Sequence, residues 1–256
     1  MKILPRIIPV LLIQDEGLVK TIRYKNPTYL GDPINAVRIY NESEADELII
    51  YDIDAARRKC KINYEQLEII SQEAFMPICY GGGITDLSDM HKLFRMGIEK
   101  VSICSAAIEN PKLISDASKE FGSQSIVVSM DVDFVNGKHL LSSNGNIHKH
   151  EINPVCFAKK MEQEGAGEII LNFIDNDGTY LGYGKELIKS ITDNINLPLI
   201  PSSGASSLKD MIDISVDLNL SGAAAGSIFV YFGRKKGILI NYPTQKEIRN
   251  AFKDRV

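Results

Sequence analysis
The stretch Met76-Pro77-Ile78-Cys79-Tyr80-Gly81-Gly82-Gly83-Ile84 reads as a short apolar strand that breaks into a glycine turn. A segment of helical period follows: within 87–96, Leu87, Met90 and Phe94 fall at i, i+3 and i+7, one apolar stripe for a sheet to cover. Outward from this unit the same alternation runs from end to end. Apolar runs at 6–12, 47–52, 76–80, 100–104, 125–131, 168–174, 197–201 and 222–228 alternate with amphipathic stretches at 33–41, 64–73, 87–96, 111–121, 154–164, 185–195, 208–219 and 243–252. Asn110-Pro111 and Asn153-Pro154 mark helix starts, and Gly122 and Gly165 follow helix ends. Strand followed by helix, repeated, means βαβ units and a parallel sheet. Eight such pairs in 256 residues predict a (β/α)8 barrel, because a barrel takes about 250 residues as one domain. A doubly wound open sheet is the alternative, but it normally has fewer strands or more chain.

Composition narrows the function classes. With 29 Lys+Arg against 33 Asp+Glu the net charge is −4, so no general attraction to nucleic acid or to an anionic membrane is expected. No run approaches the roughly 18–20 uncharged apolar residues of a membrane span. The apolar start at 1–12 lacks a basic region and a cleavage site, which predicts a cytoplasmic protein. Cys60, Cys79, Cys104 and Cys156 are far apart and form no C-x-x-C pair, so they read mostly as small buried hydrophobes. His148 and His150 stand in a polar stretch that reads as a solvated loop. Neither a metal site nor a cofactor is expected.

The chain also repeats itself at half its length. Tyr51-Asp52-Ile53-Asp54 is echoed by Ile174-Asp175-Asn176-Asp177, Gly81-Gly82-Gly83 by Ser202-Ser203-Gly204, and Ser105-Ala106 by the small residues at Gly226-Ser227. This predicts one barrel over 1–256 built of two halves, about 1–122 and 123–256. In a barrel the site lies at the C-terminal ends of the strands, where Asp52, Asp131, Asp175 and Asp177 would converge. Any one of them could equally be a helix cap. Two glycine turns half a barrel apart, Gly82-Gly83 and Ser203-Gly204, with Ser105 and with Gly226-Ser227, leave backbone N–H groups free at helix starts. They predict a ligand with a phosphate at each end.

Arg6-Ile7-Ile8-Pro9, Gly31-Asp32-Pro33, Tyr80-Gly81-Gly82-Gly83-Ile84, Lys100-Val101-Ser102-Ile103, Phe121-Gly122-Ser123-Gln124, Gly165-Ala166-Gly167-Glu168-Ile169, Asp175-Asn176-Asp177-Gly178-Thr179 and Ser227-Ile228-Phe229 resemble the HisF family, the cyclase subunits of imidazole glycerol phosphate synthase. The likeness spans nearly the whole chain. It implies a phosphosugar site at the barrel mouth and a HisH-like glutaminase docked at the opposite face, sending ammonia through the barrel. It places the family's second catalytic aspartate on Asp131, its active-site-loop lysine on Lys20, and its ammonia gate on Arg6, Glu47, Lys100 and Glu168. A salt-bridged plug would keep the same four charges without a partner.

Two positions depart from the family pattern. Its first catalytic aspartate falls on Leu12, in Val10-Leu11-Leu12-Ile13, and an asparagine that helps hold substrate falls on Cys104. Paired carboxylates work as acid and base because one can hold a proton while the other lacks it, and leucine can do neither. The expectation is therefore a divergent HisF-like subunit that still receives ammonia from a HisH-like glutaminase. It would serve amidination of a nucleotide-linked amino sugar in surface-polysaccharide synthesis, with a separate amidotransferase. Two alternatives stand beside it: the ordinary cyclase subunit in histidine biosynthesis, and a non-catalytic binder of phosphosugars. The polar segment 136–149 is expected to form a hairpin turning at Asn144-Gly145.

Overall fold
The computed structural model describes residues 3–58, 61–233 and 235–255; Cys60 lies outside them. Eight parallel strands form the inner layer: β1 (Arg6–Gln14), β2 (Leu48–Asp52), β3 (Ile78–Gly81), β4 (Lys100–Ile103), β5 (Ile126–Val135), β6 (Glu168–Phe173), β7 (Leu199–Ser202) and β8 (Gly222–Ala225). Each pairs in parallel with the next from β1 to β7. β7 lies beside β8, and β8 pairs back onto β1 with Arg6 opposite Gly222, which closes the circle. The structure is the (β/α)8 barrel that the alternation predicts.

Eight main helices surround it: α1 (Pro33–Glu42), α2 (Tyr64–Glu73), α3 (Leu87–Arg95), α4 (Lys112–Phe121), α5 (Pro154–Gln163), α6 (Lys185–Thr192), α7 (Leu208–Asp217) and α8 (Gln245–Lys253). Local chemistry sets their starts. Asp86 and Ser207 cap α3 and α7 by accepting from Asp89 N and Asp210 N, and Thr244 with Glu247 closes a capping box on α8. Gly122 ends α4 at φ +85, as its sequence position suggested.

Strand parity sorts the core into two layers. On β1, Ile7, Leu11 and Ile13 face the helices, while Ile8, Val10 and Leu12 face the barrel axis. Inside, Ile8, Val10, Ile49, Cys79, Val127, Ile170, Ile200 and Ala224 form an apolar plug. It separates a charged end, where the strands begin, from the mouth, where they end.

Several expectations need correction. The last run stops as a strand at Ala225, and Ser227–Val230 is a short helix. Its small residues carry no period that could show the break. A hairpin follows β5, but its turn is Asn136-Gly137, both at positive φ and flanked by the pair Val135–Lys138, as a two-residue turn requires. Asn144-Gly145 instead joins the strand Lys138–Ser143 to a third one, His148–His150, so the two histidines lie in a strand and not in a loop. Of the described cysteines only Cys79 is buried; Cys104 is partly exposed and Cys156 exposed. The alternation also missed an antiparallel hairpin after β1, formed by Gly17–Ile22 and Lys25–Gly31. No described helix is long and apolar enough to cross a membrane.

Candidate functional site
The mouth holds a cavity of about 570 Å³, lined from both halves of the barrel. Asp131 stands in it, buried, at the inward parity of β5 that also sets Val127 and Ser129. Its Oδ1 accepts from Asn172 Nδ2 of β6 at 2.8 Å and from Tyr24 Oη at 3.0 Å. Burial raises its carboxyl above the usual range, and the hydrogen bonds from Asn172, Tyr24 and Cys104 only partly offset this. Cys104 faces the same group, and burial first, then the Asp131 charge, pushes its thiol well up; it is a neutral neighbour, not a thiolate. Leu12 lines the cavity too, so the position that lacks a carboxylate is inside the site.

Asp52 and Asp177 reach the cavity, but each already has a structural task. Asp52 Oδ1 caps the short helix Ile53–Arg58 by accepting from Asp54 N and Ala55 N. Asp177 clamps the hairpin after β1: Lys20 Nζ binds its Oδ1 at 2.5 Å and Thr21 Oγ1 its Oδ2 at 2.7 Å. Asp175 does not line the cavity; its Oδ2 accepts from Phe134 N at 2.9 Å. The four-aspartate convergence therefore reduces to three, because Asp175 turns toward the hairpin that follows β5.

The glycine loops turn in the left-handed region. Gly82 and Gly83 adopt φ +124 and +71, and Ser203 and Gly204 adopt +75 and +97. All four line the cavity, with Ser105, Gly226 and Ser227. Lys20 crosses above Gly226, where an added Cβ would stand 3.1 Å from its Cε. The lysine is thus beside the second loop, although its charge is paired with Asp177. Among the described residues no group of three His, Cys, Asp or Glu could hold a metal ion.

At the other end Arg6, Glu47, Lys100 and Glu168 form a closed ring. Arg6 bonds both carboxylates, and Lys100 Nζ lies 2.8 Å from Glu47 and 3.0 Å from Glu168. Burial alone would lower the Lys100 ammonium, but Glu168 and Glu47 outweigh it and leave it raised. A raised cation stabilises the fold below its ordinary value of 10.5, and that contribution is lost as pH climbs through the folded value. Glu168→Gln is therefore expected to cost about 2 kcal/mol at pH 8, since two part-exposed cations then share one carboxylate. In urea titrations the deficit should narrow as pH passes 10.5; a gap that widens there would overturn this account.

Sequence reading missed Tyr24, Asn172, Tyr51, Ser102 and Ser129 at the mouth. Parity could have found most of them: counting by two from Glu168 gives Ile170 and Asn172 on the inner face, and from Val127 it gives Ser129 and Asp131. Tyr24 had no such signal.

A closed (β/α)8 barrel with a buried carboxylate and two glycine turns in the cavity at its strand C-termini has the layout of barrels whose sites lie at that face. The model of a family described as "Histidine biosynthesis protein" matches residues 6–236. Similar proteins include "Putative imidazole glycerol phosphate synthase subunit hisF2" of Pseudomonas aeruginosa, 46% identical over 240 residues, covering 93% of this chain and 95% of the relative. "Imidazole glycerol phosphate synthase subunit HisF" of Alkaliphilus metalliredigens is 37% identical over 227 residues, covering 88% of this chain and 90% of the relative. The chain belongs to the histidine biosynthesis protein family, among its HisF members.

Proposed function
We propose that this chain is a HisF-type synthase subunit that joins ammonia to a phosphate-bearing substrate at the mouth of the barrel, with Asp131 as the proton-handling group. The observation that carries the reading is the buried Asp131 carboxylate, held by Asn172 and Tyr24 in a cavity lined by two glycine turns, where burial favours its protonated form. Such a group can take a proton near neutrality better than an exposed aspartate can. Gly82, Gly83 and Ser105 would hold one phosphate, and Ser203, Gly204, Gly226 and Ser227 the other, with Lys20 and Asp177 fixing the covering hairpin. Arg6, Glu47, Lys100 and Glu168 would gate ammonia. Ile3 and Phe75, each more than four-fifths exposed on segments that lead into β1 and β3, offer apolar surface at the same end for a HisH-like glutaminase. We also read residues 1–256 as one domain of two similar halves: Thr85-Asp86 with Asp89 and Ser206-Ser207 with Asp210 make matching hydrogen bonds at the starts of α3 and α7.

The relatives' names favour the imidazole glycerol phosphate reaction of histidine biosynthesis over the sugar-amidination role expected from Leu12, and we adopt that order. Leu12, with Cys104 as the second departure from the family pattern, is what favours the second reading, amidination of a nucleotide-linked amino sugar with a separate amidotransferase. An assay of the phosphoribosyl-formimino substrate with ammonium salt separates them. Turnover by the natural chain supports the cyclase; its absence, with turnover of an amino-sugar acceptor, supports the second. Leu12→Asp is expected to raise cyclase turnover about tenfold, short of the 10²–10⁴ of a positioned group because residue 12 packs against the apolar plug of the barrel. An unchanged rate would count against Leu12 as the missing acid–base position.

A further inference from the structure
We propose that Tyr24 is a positioning residue for Asp131: the hairpin after β1 carries its hydroxyl into the reaction cavity, where it fixes one carboxylate oxygen and leaves the other for the substrate proton. The inference rests on the reading of Asp131 as the base.

The geometry is built and not incidental. Tyr24 sits at the hairpin tip in the left-handed region, at φ +60, a conformation that a non-glycine residue adopts at a cost. Its neighbours Ile22, Arg23 and Lys25 are exposed, while its own ring turns inward to line the cavity. Both sides of the residue are held. Asp177 accepts from Tyr24 N at 3.3 Å and from Thr21 Oγ1, Arg23 N bonds Asp177 O at 2.9 Å, and Arg57 donates to Tyr24 O.

Tyr24 and Asn172 both donate to Oδ1 of Asp131. With that oxygen taken twice by strong donors, Oδ2, which has only the weakly donating Cys104 thiol to contend with, is the atom to receive a proton from substrate; the electron pair of the broken bond stays on the substrate, and the carboxylate becomes a neutral acid. The groups that face Asp131 are Tyr24 from the hairpin, Asn172 from β6, Cys104 beyond β4, Tyr51 from β2, and Asp177, whose charge is paired with Lys20. Burial, then the charges of Asp131 and Asp177, keep the Tyr24 phenol protonated and therefore a donor throughout the working range.

The test needs no substrate, so its failure is distinguishable from failure of the cyclase reading. The Asp131 side-chain carbon is followed by carbon-13 NMR through a pH titration of the full chain. In Tyr24→Phe the midpoint is expected to move to higher pH, because a hydrogen bond to the charged form is lost. Tyr29→Phe, an exposed ring on the same hairpin, should leave it in place. Tyr24→Leu should shift the same way as Tyr24→Phe, which guards against a fault peculiar to one variant. A midpoint unmoved in both Tyr24 variants, or moved equally by Tyr29→Phe, overturns the proposal.

Discussion

Asp131→Asn is expected to lower ammonia-dependent turnover by about 10²- to 10⁴-fold while leaving the thermal unfolding midpoint at pH 7 equal to or above that of the natural chain. The two halves of this expectation have one cause. The amide is nearly isosteric, and its Oδ1 can keep accepting from Asn172 and Tyr24, so the packing of the mouth survives. What is lost is the ability to bind and release a proton. Burial is the largest influence on the carboxyl and raises it, and the nearby Asp177 charge adds to that. A carboxyl raised in the fold binds its proton more tightly folded than unfolded. Its contribution is present below the ordinary value of 3.8 and is lost as pH rises through the folded value, so the ionised group burdens the fold at neutrality. The neutral amide lacks that burden. Melting curves at pH 4 and pH 7 should therefore show the variant gaining on the natural chain as pH rises. A variant that loses several degrees at pH 7 would mean that the ionised carboxylate is a structural anchor and not a functional group held at a cost.

The same residues show how far the sequence could be read. Barrel strands were legible because residues buried on both faces leave continuous apolar runs, and the helices because their stripes have one period. Val127 and Asp131 share a face by simple alternation, and so do Glu168 and Asn172; the carboxylate and its amide partner then stand opposite each other in register. The hairpin over the mouth was illegible for a physical reason. Lys25–Gly31 is exposed along most of its length and so shows no apolar alternation, and a side-chain clamp to Asp177, 157 residues away from Lys20, holds the covering segment. Long-range polar pairs leave no local pattern. Asp52 and Asp175 show that position alone does not separate strand-end aspartates: Asp52 lines the cavity while its Oδ1 caps a helix, and Asp175 turns to a neighbouring backbone N–H.

The glycine cradle should be the least replaceable part of the mouth, and Gly82→Ala is expected to cost about 3–4 kcal/mol in urea unfolding. Two effects combine. At φ +124 an L side chain is strained, and a Cβ would stand 2.4 Å from Asp52 O and 3.0 Å from Asp52 Cβ. Backbone cannot swing aside as the end of a flexible side chain can, and this backbone begins the helix that Asp52 caps. Gly97→Ala isolates the first effect, since Gly97 has φ +92 with nothing within 4 Å of an added Cβ; it should cost only the strain, about 1 kcal/mol. The difference between the two variants is then the clash. It also bears on function: a Cβ on Gly82 displaces the turn whose N–H groups would form the proposed cradle. Saturating inorganic phosphate should raise the unfolding midpoint of the natural chain and of Gly97→Ala, since a ligand that binds only the folded state stabilises it by mass action. It should raise the midpoint of Gly82→Ala less. Equal phosphate stabilisation in all three would place the anion outside the Gly82-Gly83 loop, and equal stability of the two alanine variants would show that the loop accommodates a side chain after all.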